Sequence, residues 1–212
     1  MTEQSLWIHE VRRCGKAAPA LPLLAATAII AMSLLVDSQD AVSAEDTGTG
    51  MVRLVATVLP VAAGLAAATA AARDPMVEVQ LALPTPYAVT VRRRLIVVTL
   101  AALLAGGVCI AGLALAGQWN HPAQGPAALL VPLGPSVLLI GTAAWAQARM
   151  RSTAAASSVV LGVWLLQVMW LDRFISSWVV NRSLLLALGA VLAALAVRAL
   201  RDSERQLAGS AS

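Results

Sequence analysis

Charge is what this chain has least of. Only 12% of its 212 residues are Asp, Glu, Lys or Arg, 59% are hydrophobic, and mean hydropathy is +0.78. Water-soluble domains carry about 25% charged residues, so a soluble fold is excluded and the chain reads as an integral membrane protein. Phe and Tyr occur once each. The apolar bulk is therefore Ala, Leu and Val, small and aliphatic side chains suited to close helix packing. Cys14 and Cys109 lie far apart, and neither pairs with His or Cys at metal-ligand spacing, which excludes a disulfide framework and a zinc site. Walker-type phosphate loops are missing too: Gly15-Lys16 has Glu10 where the earlier glycine would stand. His9 and His121 are the only histidines. With no His-Glu-x-x-His, no Gly-x-Ser-x-Gly and no paired carboxylates inside an apolar run, the chain reads as not an enzyme and as binding no cofactor itself.

What is present is six apolar runs, at residues 19–36, 54–72, 95–116, 127–147, 153–171 and 183–200. Crossing a hydrocarbon core of about 30 Å takes about 20 helical residues, so the expected fold is all-α with six transmembrane helices. Residues 1–18 carry Trp7, Val11 and Cys14 on one face, which fits an interfacial helix; 19–200 form the membrane domain and 201–212 a cytoplasmic tail. The first run, at about 18 residues, exceeds a signal-peptide core and is expected to be retained. Loop 37–53 is acidic and contains the linker-like Thr47-Gly48-Thr49-Gly50. Pro60 should kink the second span, and Pro132 with Gly134-Pro135 should bend the fourth. Residues 172–182 are too short to cross and read as a re-entrant segment.

The basic residues are distributed unequally. With both termini cytoplasmic, only Arg53, Arg173 and Arg182 of the 15 Lys and Arg face outward, the bias expected of an inner or plasma membrane protein. A pI near 10 is thus an orientation signal, with membrane lipid rather than nucleic acid as the partner. The interior is nearly free of charge; Gln147, Gln167 and Arg198 lie near span ends or are neutral. An ion-coupled carrier places ionisable groups at mid-depth, so that alternative is less favoured, as is a non-transporting scaffold or immunity protein.

Between the second and third runs, residues 73–94 alternate Val77, Val79, Leu81 and Leu83 with Glu78 and Gln80, stop at Pro84-Thr85-Pro86-Tyr87, and end in Arg92, Arg93 and Arg94. This is an amphipathic element at a membrane surface. The run Glu78-Val79-Gln80-Leu81-Ala82-Leu83-Pro84 followed by basic residues, set within six spans, resembles the ABC-2 type permeases of ABC exporters. The resemblance implies that this segment is a coupling helix seated on a separate ABC ATPase subunit, which binds the ATP and Mg. It also implies that a second six-span permease, identical or related, completes the pathway. Glu78, Leu81, Leu83, Pro84 and Tyr87 would then contact the ATPase, and Arg92, Arg93 and Arg94 would lie at the membrane surface. The cargo expected of so apolar an interior is amphipathic or hydrophobic.

Overall fold

The structure, a computed structural model, describes residues 17–37, 44–72, 87–175 and 177–209. These residues form helices and connections, with no strand among them. We number the helices α1 (Ala17–Asp37), α2 (Ala44–Ala70), α3 (Tyr87–Leu115), α4 (Leu130–Met150), α5 (Thr153–Leu166) and α6 (Trp178–Gly209). A 3-10 turn, Gly125–Leu129, leads into α4, and a π-helical turn, Gln167–Leu171, carries α5 on into Asp172–Phe174. Six helical runs are long and apolar enough to cross a membrane. Hydrocarbon cannot solvate backbone N–H and C=O groups, so a chain this apolar satisfies them within helices.

α4 is the centre of the bundle, packing against α2, α3, α5 and α6. Its contact with α6 is the closest in the protein. A Cβ added at Gly141 would fall on the Gly189 carbonyl, and one added at Gly189 on the Val137 carbonyl. The buried positions of α6, Asn181, Leu185, Gly189, Ala196 and Leu200, recur at three- to four-residue multiples and form the stripe laid on α4. The partners run in the same sense, Arg182 beside Gly134 and Gly189 beside Gly141, so α4 and α6 are parallel. α5 must therefore return across the bundle between them. It does so after a two-residue turn in which Arg151 takes a left-handed φ of 54° and the Ser152 hydroxyl accepts from the Ala155 N–H.

Four expectations are corrected. Residues 44–53, read as linker, are the first turns of α2, where Gly48 packs against the Gln118 carbonyl. The third span begins at Tyr87, not residue 95, because the arginines continue the helix. Residues 172–182 are the end of one helical run and the start of another, so the re-entrant reading fails; apolar residues there extend two helix ends. The sixth helix runs on to Gly209, past the end expected for that span at residue 200. Pro132 falls in the first turn of α4, where its missing N–H costs nothing, and Pro135 lies inside that helix as Pro60 lies inside α2. Most of the interfacial helix expected at 1–18 lies outside the described residues.

Gly141→Ile and Gly189→Ile should each lower stability by about 1–3 kcal/mol or more, since backbone cannot step aside as a side-chain end can. Gly162→Ile, at a position where an added Cβ would meet nothing within 4 Å, should leave the melting temperature in detergent unchanged.

Candidate functional site

The ends of the bundle differ chemically. One gathers the end of α2, the start of α3 and the ends of α4 and α6: Ala71, Tyr87, Val91, Gln147, Ala148 and Leu200 surround one small pocket there. Arg92, Arg93, Arg94, Arg149, Arg151, Arg198 and Arg201 all belong to these helix ends and the turn after α4. The other end holds the connection after α3 and the start of α6, where His121 stacks edge-on against Trp178 with ring centroids 5.3 Å apart. Arg53, Arg173 and Arg182 belong to that half.

At the arginine-rich end, residues 73–86 leave α2 and return to α3. Glu78, Leu81, Leu83 and Pro84 lie outside the described residues, but both anchors of the segment are described. The last carbonyls of a helix have no intrahelical donor, and those of α2 are met from α3. The Tyr87 hydroxyl donates to the Ala71 carbonyl at 3.3 Å, and Arg94 Nη1 donates to the Ala70 carbonyl at 3.3 Å. A guanidinium beside a helix C-terminus also complements the helix dipole. The end of α2 and the start of α3, which flank residues 73–86, are thus bonded to each other.

The three successive arginines do three different things. A helix turns 100° per residue, so they cannot share one face. Arg92 is exposed, Arg93 half-buried and Arg94 only 4% exposed. Arg94 turns inward, toward the terminal Ala70 carbonyl of α2. Tyr87 turns back onto α2 and packs against the core.

Buried amides are residues whose burial sequence reasoning did not anticipate. Gln167 is 1% exposed, and neither amide atom has a hydrogen-bond partner among the described residues. It opens the π-helical turn, an irregularity frequent at functional sites. Gln147 and Asn181 are also buried, and the Asn181 amide donates to Asp172 Oδ1 at 2.8 Å, beside the Arg182–Asp172 ion pair at 3.1 Å. A polar side chain inside an apolar run was the available signal. Among the described residues, no group of three or more His, Cys, Asp or Glu could hold a metal.

At the tryptophan-rich end, His121 Nδ1 accepts from the Ala123 N–H at 3.0 Å, and Trp119 Nε1 donates to the Ala123 carbonyl at 3.0 Å. Nδ1 is therefore unprotonated. Burial, and after it the Arg182 guanidinium, hold His121 below its ordinary value. Trp119, Trp170 and Trp178 are at this end, as expected of interfacial anchors, with Trp170 stacked on Phe174. Trp164 packs against the main core cluster together with Trp145.

The chain matches no protein-family model, no curated protein and no solved structure. Its site is therefore read from its own geometry.

Two measurements test that geometry. Arg94→Met keeps the apolar stem but leaves the Ala70 carbonyl without its cationic donor, which should cost about 1–3 kcal/mol; Arg92→Met, at an exposed position, should change stability by less than about 0.5 kcal/mol. The depressed His121 value means that the folded form binds the proton less readily than the unfolded form. Its contribution is complete above about pH 6.5 and is lost as pH falls through the lower folded value. Thermal unfolding followed by tryptophan fluorescence should show this decline below about pH 6.5, and His121→Gln should flatten it.

Proposed function

We propose that this chain is the membrane-spanning permease subunit of an ATP-driven ABC-2 type exporter, moving an amphipathic or hydrophobic substrate with energy supplied by a separate ATPase subunit. The observation that carries the reading is the bonded base of the 73–86 loop. A coupling element has to pass a rigid-body movement into the membrane, and a loop hinged freely at both ends would dissipate it. Here Tyr87 and Arg94 on α3 hold the terminal carbonyls of α2, so a push on the loop moves two spans as one. α2 and α3 both contact α4, the central helix, which relays the movement to α5 and α6.

The charge distribution supports a cytoplasmic location for this end. Seven arginines belong to the described helix ends and turn on this side and three to the opposite half, the sense of the positive-inside bias. The loop then faces the compartment that holds ATP. Glu78, Leu81 and Leu83 are the proposed contacts with the ATPase, and Pro84 ends the contacting segment. Tyr87 and Arg94 are positioning residues that transmit the movement. A second six-span subunit, identical or related, would complete the pathway.

Purification of the tagged chain from its native cell in mild detergent, with mass spectrometry of what accompanies it, tests this reading. An ATPase carrying a Walker motif should co-purify with the wild type and be lost from Glu78→Arg/Leu81→Asp. The Arg94→Met chain should keep the ATPase yet uncouple its hydrolysis from transport, lowering flux per ATP by about tenfold if coupling depends on this one tie. Recovery of the wild type without an ATPase, under conditions that preserve other membrane complexes, would overturn the reading and leave the ion-coupled carrier as the one to test.

A further inference from the structure

A groove of about 530 Å³ lies between α3 and α6 at the arginine-rich end. Ile96 and Leu100 of α3 form one wall, Ala194 and Val197 of α6 the other, and Ile140 of α4 belongs to its floor. Arg92 from α3 and Arg198 and Arg201 from α6 also line it. Because α3 and α6 run in opposite directions, the arginines fall together at one end and the apolar walls extend from them toward the bundle centre. From Arg92 to Leu100 is about 12 Å along the helix axis. The groove is therefore amphipathic along its length, with a triply cationic end and an oily shaft. Among the described residues, no hydrogen bond or ion pair engages any of the three arginines.

We propose that this groove binds one anionic phospholipid from the adjacent leaflet, with the headgroup phosphate among Arg92, Arg198 and Arg201 and an acyl chain along the shaft. This site is independent of the permease reading. Three features favour this occupant over the others. Guanidinium groups recognise phosphate oxygens in charge-assisted, bidentate fashion, so a cluster of them fits a phosphate and not a zwitterion's trimethylammonium. A peptide would leave its own backbone groups unsatisfied against the shaft, whose one hydroxyl, Thr99, is already donating to the Leu95 carbonyl at 2.8 Å. A second copy related by a two-fold axis would bring three arginines against three arginines.

The test is native mass spectrometry of the full chain in detergent, titrated with phosphatidylglycerol or phosphatidylcholine of identical acyl chains. The wild type should retain phosphatidylglycerol at least about tenfold more strongly, given the attraction that each basic residue contributes near a membrane surface. Arg92→Gln/Arg198→Gln/Arg201→Gln should bring phosphatidylglycerol down to the level of phosphatidylcholine. Ala194→Trp, which fills the shaft and leaves the arginines in place, should reduce retention of both lipids. Arg149→Gln/Arg151→Asn alters charge at the same end without touching the groove and should retain the wild-type preference. Equal retention of the two lipids by the wild type would overturn the proposal, as would a preference that survives the triple substitution. So would displacement of the lipid by free glycerol phosphate, which would make the groove a site for a soluble anion.

Discussion

The contact on which the bundle depends is the approach of α4 to α6 at Gly141 and Gly189. Lipid tails are as apolar as leucine side chains, so helices in a bilayer gain little from hiding apolar surface from each other. They gain from packing density and from close backbones, which only small residues permit. At this crossing there is no side chain on either helix to hold the two apart. Because α4 is also the helix against which α2, α3 and α5 pack, the position of every other span is referred to this axis. Gly64 of α2 against Leu139, and Gly106 of α3 against Pro132, repeat the device at smaller scale.

That axis explains why α5 can be nearly bare. Few of its residues are buried, Ala156 and Val160 among them, while Leu161, Leu165, Leu166 and Met169 are exposed. In water such a surface would be an aggregation hazard; in a bilayer it is ordinary lipid-facing helix. α5 makes the return crossing that lets α4 and α6 run parallel, and its tight turn at Arg151-Ser152 fixes where it starts. The π-helical turn then adds a residue's worth of backbone before Asp172, and Asp172 reaches both Asn181 and Arg182 on α6. One end of α5 is held by a turn and the other by a small polar network, with little packing between.

Much of this was legible in the sequence because the bilayer imposes a simple rule. Runs of about 20 apolar residues must be helices, and arginines between them reveal their alternation, so the six spans could be read from residue types alone. The boundaries were less legible. Thr47, Gly48, Thr49 and Gly50 have linker composition, yet they continue α2 because Gly48 packs against the Gln118 carbonyl, a contact between segments 70 residues apart in sequence. Arg92, Arg93 and Arg94 look like a surface cluster when written as a string. Wound at 100° per residue, one of them has to face inward, and the sequence held that signal for Arg94 although not its partner. The Ala70 carbonyl is a backbone group, invisible to any reading of side-chain pattern.

Burying a guanidinium costs several kcal/mol unless its donors are met, and Nη1 of Arg94 at the base of α3 meets the terminal Ala70 carbonyl of α2. The tie therefore links two requirements that are usually separate. α2 has to end with its carbonyls satisfied, and α3 has to carry a cation into the bundle without leaving it alone. Each solves the other's difficulty, and the cost of breaking the tie is borne by both helices. Arg92, two residues earlier and so turned about 200° to the exposed face of the same helix, lines the groove shared with α6. α3 thus carries both the tie to α2 and one wall of that groove.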